Sequence, residues 1–208
     1  MKVKKGIAVL ASGRGTNFEA LARSCERPDF PAELKILVVN VPDAPVLTRA
    51  ATFRIPAVTI DHRNFPTREA FEEEVIKVLE PYQVDLICLA GFNRILSPKL
   101  LERYPMRIMN IHPSLLPAFA RLQGIKVHEA VLNYGVKITG CTVHFVTADV
   151  DCGPIIVQRA IPVRDVDTPD SLSLRVLVEE HQAYPEAVRL FCEDRLEIVG
   201  RRVLVRSR

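Results

Sequence analysis

The chain has 208 residues, 48% apolar and 25% charged, enough for one substantial hydrophobic core. Its net charge of +3 is too small to argue for nucleic acid, and it has no run of about 18 apolar residues to span a membrane. Five cysteines (Cys25, Cys88, Cys141, Cys152, Cys192) form no C-x-x-C pair, which argues against a zinc site or disulfide framework and for reduced thiols in the cytoplasm.

The start, Met1-Lys2-Val3-Lys4-Lys5, leads straight into a strand-like run without the apolar stretch of a signal peptide. Gly6 to Ala11 reads as a buried strand and Phe18 to Cys25 as the helix after it. Glu33 to Asn40 is the next strand, Pro45 to Phe53 a helix, and Ala57 to Ile60 a short strand. From Thr67 to about Glu80 the chain reads as a helix whose apolar stripe is Phe71, Val75, Val78 and Leu79. The acidic run Glu72-Glu73-Glu74 on that helix reads as a solvated face. Val84 to Ala90 is a near-continuous apolar strand of the kind covered on both faces in a parallel sheet. Ser97-Pro98 caps a short helix to Arg103, and Met106 to Met109 begins a strand that carries on to His112. This alternation predicts a doubly wound, mostly parallel α/β sheet with helices on both faces.

The second half changes character. A helical segment from Ile125 to Leu132 ends near Gly135, and two β-rich runs, Lys137 to Val146 and Ile155 to Val163, flank a turn holding Asp149, Asp151 and Gly153. They predict an antiparallel C-terminal extension of the sheet. Asp167-Thr168-Pro169 caps a long helix to about Phe191, and short runs from Leu196 to Val199 and Val203 to Val205 close the chain. Arg201, Arg202, Arg206 and Arg208 read as a solvated basic terminus. With no repeat or linker, 1–208 is expected to be a single domain.

Two segments carry chemistry. Ser12-Gly13-Arg14-Gly15-Thr16-Asn17 lies between the first strand and first helix, where glycines allow a tight turn and the open N–H groups of the helix start favour an anion. Thr16 and Asn17 add a hydroxyl and an amide suited to a phosphate. Phe18 occupies the last glycine position of G-x-G-x-x-G, and no Gly-Lys-Ser/Thr follows, so neither dinucleotide loop nor P-loop is indicated. The bland reading is a turn whose glycines serve geometry alone.

The second segment is Asn110-Ile111-His112-Pro113, followed downstream by Asp151-Cys152-Gly153-Pro154. Residues two apart in a strand share a face, so Asn110 and His112 point toward one small volume, and Pro113 ends the strand beside them. An amide and an imidazole, with a carboxylate to orient and charge the imidazole, can hold a carbonyl oxygen as it becomes an oxyanion. His144 lies within a strand and reads as structural. Asp149 competes with Asp151 for the orienting role, and Asp151 has the Gly-Pro context. His112, His144 and Asp151 lack ligand spacing on any one element, so no metal is expected.

These segments closely resemble the phosphoribosylglycinamide formyltransferase family. The match rests on Ser12 to Asn17, Ala90-Gly91-Phe92-x-Arg94-Ile95-Leu96-Ser97, Asn110 to Pro117, Gly140 to Val146, Asp151-x-Gly153-Pro154 and Glu180-His181-x-x-Tyr184-Pro185, in family order over nearly the whole chain. The resemblance implies the formyltransferase-like fold, with a nucleotide-phosphate-binding half at about 1–105 and a folate and catalytic half at about 106–208. It implies transfer of a formyl group from 10-formyltetrahydrofolate, as co-substrate, to the amine of 5'-phosphoribosylglycinamide in de novo purine biosynthesis. Asn110, protonated His112 and Asp151 would be catalytic, with Asp151 raising the His112 pKa. Gly15, Thr16, Asn17 and Glu180 would bind the ribonucleotide. Arg68, Asn93, Arg94, Ile95, Leu96, Asn110, Thr147, Ala148, Asp149, Val150 and Asp151 would border the folate, although Arg68 also has a bland reading as compensation for an acidic helix start. Small-molecule substrates are the expected partners, without nucleic acid or membrane, and a homodimer is left open.

Three departures stand out. The family usually carries Met where this chain has Asn93, so a polar side chain is expected toward the pteridine pocket. The stretch from Ala118 to Lys126 is longer than usual, with Lys126 where a His falls. Leu177 replaces a polar residue of some members. A formyltetrahydrofolate hydrolase or a methionyl-tRNA formyltransferase shares the chemistry but implies an added domain, and a non-catalytic ligand-binding module on this fold is the rival of another class.

Overall fold

In the computed structural model, residues 3–207 are described. The expectations for Met1, Lys2 and Arg208 therefore lie outside the described residues. The strands are β1 (Lys5–Ala11), β2 (Ala32–Val39), β3 (Ala57–Thr59), β4 (Leu86–Leu89), β5 (Ile108–His112), β6 (Ile138–Phe145), β7 (Ile155–Pro162), β8 (Leu196–Val199) and β9 (Arg202–Val205). The helices are α1 (Thr16–Glu26), α2 (Val46–Thr52), α3 (Arg68–Leu79), α4 (Pro98–Arg103), α5 (Ile125–Tyr134) and α6 (Pro169–Cys192).

One sheet runs in the order β3-β2-β1-β4-β5-β6-β7-β9-β8. Its first five strands are parallel, β6 is antiparallel to both β5 and β7, and the β8–β9 hairpin joins the far edge. Phe18, Leu21, Tyr184, Ala187 and Val188 are buried on one face, and Phe71, Val75, Leu79, Leu100 and Tyr104 on the other. Helices thus cover both faces, as the apolar strands require. The expected α/β architecture and its antiparallel extension are both present.

Helix starts follow local chemistry. Thr67 Oγ1 accepts from Ala70 N at 3.1 Å, and Ser97 precedes Pro98 at the start of α4. Thr168 and Ser171 form a reciprocal capping box ahead of the long α6.

Two expectations need correction. The strand to His112 begins at Ile108, because Met106 takes a positive φ of 52° and breaks the ladder before it. The Glu72-Glu73-Glu74 run is not a uniformly solvated face: Glu72 is buried at 1% exposure. Its carboxylate accepts from Ser97 N at 2.6 Å, Leu100 N at 3.2 Å and the Ser97 hydroxyl, so it caps α4 from across the helix pair. The basic C-terminal segment is exposed at Arg201, Arg202 and Arg206, as expected of a solvated terminus, and Arg201 Nη2 donates to the Cys152 carbonyl at 2.9 Å.

The strand order reverses between β1 and β4, where open α/β sheets generally place a ligand crevice, and the loops at the carboxyl ends of these two strands are joined by Ser12 N donating to the Gly91 carbonyl at 3.1 Å. Tyr184, fully buried on α6, places its hydroxyl 3.0 Å from the carbonyl oxygens of both Leu89 and Met109. That contact ties β4 to β5 one residue before Asn110.

Candidate active site

Asn110 and His112 lie on β5 opposite His144 and Thr142 of β6. The antiparallel pairing brings His144 in beside Asn110. His144 Nδ1 is 2.8 Å from the Phe145 carbonyl oxygen and donates to it. Its Nε2 is then an acceptor, 3.3 Å from Asn110 Nδ2. One amide hydrogen of Asn110 is thereby fixed, and the second is aimed elsewhere.

Asp151 reaches the pair from the loop after β6. Its Oδ2 lies 3.5 Å from His112 Nδ1, and its Oδ1 lies 3.8 Å from His144 Nε2. Its backbone takes a φ of 56°, an uncommon conformation for an aspartate. Gly153 explains the Asp-x-Gly-Pro pattern: a Cβ there would stand 1.7 Å from the Phe145 carbonyl oxygen. Only glycine lets the loop fold back against β6, and the Pro154 carbonyl then accepts from Phe145 N at 2.9 Å.

The segment after Pro113 covers the site. Thr142 Oγ1 donates to the Ser114 carbonyl at 2.7 Å and accepts from Leu116 N at 3.0 Å, which fixes the start of the segment. Farther along, the Phe119 carbonyl oxygen accepts from His112 Nε2 at 3.1 Å, and Arg121 N donates to Asp151 Oδ2 at 2.7 Å. Phe119 and Arg121 both take positive φ, of 57° and 67°. With its proton on Nε2, neutral His112 turns a lone pair toward Asp151, which accounts for the long 3.5 Å separation. Burial pulls the His112 pKa below its ordinary 6.5, and the opposing pull of Asp151 and of the Phe119 carbonyl does not overcome it. This corrects the expectation of a raised His112: Asp151 acts in that direction, but burial outweighs it. Burial likewise lowers the pKa of His144.

The glycine loop forms the other half of the crevice. Gly15, at φ 73°, sits where a Cβ would lie 2.3 Å from Val46 Cγ2, so the turn requires glycine. Among the described residues no side chain caps α1, and no hydrogen bond engages the amides of its first turn at Thr16, Asn17 and Phe18. Asn17 Nδ2 donates to Glu180 Oε2 at 2.6 Å, so the side-chain amide expected to face a phosphate is committed to α6. Asn17 Oδ1 is left buried without a partner among the described residues. Glu180 is buried, which raises its carboxyl pKa against the opposing hydrogen bond from Asn17.

Comparison with known proteins agrees with this geometry. A formyl transferase family model matches residues 5–188. The phosphoribosylglycinamide formyltransferase of Bacillus subtilis is 40% identical over 89% of this chain and 93% of its own length. The chain belongs to the phosphoribosylglycinamide formyltransferase family. The trifunctional purine biosynthetic protein adenosine-3 of Gallus gallus is 46% identical, and the chain spans only 19% of that protein's length. The glycinamide ribonucleotide transformylase 1 structure from Symbiobacterium toebii superposes with a TM-score of 0.95 at 45% identity, covering 100% of this chain and 96% of that one.

Within this formyltransferase fold, the remaining sequence-derived positions fall into two groups. Arg68, at the start of α3, directs Nη1 to the Ile95 carbonyl at 3.4 Å, joining it to the 93–96 segment. Ile95 is exposed and Leu96 buried. Asn93 is exposed, and its Oδ1 accepts from Ser12 Oγ and Asn40 Nδ2, on the side of the glycine loop. Thr147, Ala148, Asp149 and Val150 form the loop leading to Asp151, held by Cys152 N donating to the Asp149 carbonyl at 3.3 Å. Asp149 itself is exposed, so Asp151 alone of the two faces the histidines. Among the described residues no hydrogen bond or ion pair joins 93–96 to 147–151. Lys126 is exposed on the first turn of α5. His144 is the residue that the sequence reading left out of the site, and its signal was the possible antiparallel register between the strands holding Asn110 and His144.

Proposed function

We propose that the chain transfers a formyl group from 10-formyltetrahydrofolate to the amine of 5'-phosphoribosylglycinamide, giving the N-formyl product and tetrahydrofolate, in purine biosynthesis. The observation that carries this reading is the convergence of Asn110, His112 and Asp151 at the carboxyl end of β5, with His112 Nε2 already holding a carbonyl oxygen, that of Phe119, at 3.1 Å. That oxygen stands in for the formyl oxygen of the substrate. The amine nitrogen attacks the formyl carbon, and the carbonyl oxygen gains negative charge. The free amide hydrogen of Asn110 and the imidazolium of His112 stabilise it, with Asp151 favouring the charged imidazole. Collapse returns the carbonyl and expels the folate nitrogen, and the proton given up by the attacking nitrogen passes through His112 to the folate nitrogen, so that His112 ends in its starting state.

The open amides of α1 at Gly15, Thr16 and Asn17 hold the ribonucleotide phosphate, because a helix start favours an anion. Glu180 and the unpartnered Asn17 Oδ1 meet donor groups of the same substrate. Arg68, Asn93, Arg94, Ile95 and Leu96 and the 147–151 loop border the folate. The ribonucleotide half is residues 1–105 and the folate and catalytic half 106–208 of one domain, and no metal takes part. Cytoplasmic residence is supported by five free thiols, with no disulfide among the described residues. Among those residues no helix is long and apolar enough to cross a membrane.

The test is acceptor-dependent formyl transfer by the purified protein, followed through formation of tetrahydrofolate. His112→Ala is expected to lose about 10²- to 10⁴-fold in kcat while remaining folded. Deformylation without the acceptor would move the assignment to a hydrolase, and full activity in His112→Ala would remove His112 from the mechanism.

A further inference from the structure

The carboxyl ends of β1, β2 and β4 are joined by a polar cluster that the transfer chemistry does not use. Its centre is Asn40, fully buried at the end of β2. His62 Nδ1 lies 2.9 Å from the Asn40 carbonyl oxygen and therefore carries the proton donated to it. A protonated Nδ1 cannot accept from Asn40 Nδ2, although the two are 3.3 Å apart. Asn40 Nδ2 is left to donate to Asn93 Oδ1, at 2.9 Å. Ser12 Oγ accepts the Asn93 backbone N–H at 2.9 Å. Its single proton is shared between Asn40 Oδ1 at 2.6 Å and Asn93 Oδ1 at 2.8 Å. One further bond, Ser12 N to the Gly91 carbonyl at 3.1 Å, runs between the same two loops.

We propose that Asn93 is a positioning residue that clamps residues 91–97 onto the glycine loop at Ser12, so that the ribonucleotide and folate sides of the crevice are held as one surface. The inference rests on the ribonucleotide and folate assignments above and adds to them a specific role for the Asn93 side chain. Ser12 opens the loop that ends in the α1 amides, and Asn93 opens the 93–96 segment. A side chain that bonds the first residue of one to the first residue of the other fixes their spacing. A methionine at this position could not make this contact, because a thioether is a weak acceptor and donates nothing. With Met there, the Asn40 amide loses its acceptor inside the protein, where an unmet donor is costly. The clamp uses a buried asparagine whose amide nitrogen has, among the described residues, no partner other than Asn93 and the already protonated His62.

The experiment compares the wild type, Asn93→Met, Ser12→Ala and the double variant in formyl transfer, with KM measured separately for each substrate. Loss of one such hydrogen bond is expected to raise the ribonucleotide KM about three- to tenfold in each single variant. The double variant should fall short of the product of the two single effects, since both remove the bond between Ser12 Oγ and Asn93 Oδ1. Protection from hydrogen exchange at the amides of residues 12 and 93, which are bonded to the Gly91 carbonyl and to Ser12 Oγ, should be lost in Asn93→Met without ligand. Asn93→Asp should restore it, because a carboxylate oxygen accepts from the same donors. A change confined to the folate KM, multiplicative effects in the double variant, or unaltered exchange would each overturn the clamp. If the wild type fails to use the ribonucleotide at all, the transferase assignment falls, and the exchange comparison still decides whether Asn93 holds the loop.

Discussion

His144 shows how one strand pairing changes the meaning of a residue. Read along its own strand, it is a histidine between valine and phenylalanine and carries no functional signal. Opposite Asn110 it becomes the acceptor that fixes the amide. The orientation matters because a hydrogen-bond donor contributes to rate only if it is already aimed at the oxygen where charge develops. Replacing His144 with Ala should therefore lower kcat about three- to tenfold, the worth of one hydrogen bond of orientation. His144→Gln, which keeps an acceptor at that position, should recover part of the loss. Measured kcat for the two variants checks this, and equal losses would mean that His144 acts through packing alone. The trio Asn110, His112 and Asp151 was legible because two of its members are fixed by strand periodicity and the third by a glycine that nothing larger can replace. His144 was not, because register between distant strands is not written in either strand alone.

Among the elements, the α3–α4 pair makes a similar point about charge. Glu72 lies three residues before Val75 and seven before Leu79, on the same stripe, and that spacing was a sign of burial overridden by the acidic run around it. The structure gives the carboxylate three donors at the start of α4, directly after the 93–96 segment. Helices, strands and their order were readable from local patterns of apolar residues and caps. The docking of α4 on α3 was not, since it depends on a contact between residues 25 apart in sequence. Glu72→Ala should cost about 2 kcal/mol of stability by stranding those donors, and Glu72→Gln about 1 kcal/mol. Urea denaturation measures both. The KM for folate should rise in Glu72→Ala, as the segment preceding α4 loosens, and an unchanged folate KM would separate that segment from the cap. The same dependence on tertiary contact explains the longer 118–126 stretch. Its sequence shows only that it is long, whereas the structure shows it bonded to both His112 and Asp151.

For the molecule as a whole, the histidines set a pH dependence with a definite sign. His112, His128, His144 and His181 all have pKa values lowered from 6.5, with burial the largest cause in each. The folded chain therefore holds them neutral at pH values where the unfolded chain would protonate them. Stability from these groups is complete above about pH 6.5 and is lost as pH falls through their folded pKa values. Each histidine in that window adds up to about 1.4 kcal/mol per pH unit of slope. Glu180 acts oppositely: its raised carboxyl is held less comfortably as a charge, so acidification toward 4.5 relieves it. One carboxyl does not offset four histidines that move stability the other way. Urea midpoints should be nearly level from pH 8 to 7 and fall steadily below 6.5. His144→Gln should make that fall shallower by the share of one proton. Midpoints that stayed level or rose between pH 6.5 and 5.5 would show that the buried histidines, His112 included, are already protonated in the folded chain. That outcome would also remove the reason for expecting the Phe119 carbonyl to hold a neutral imidazole rather than an imidazolium ready for the substrate.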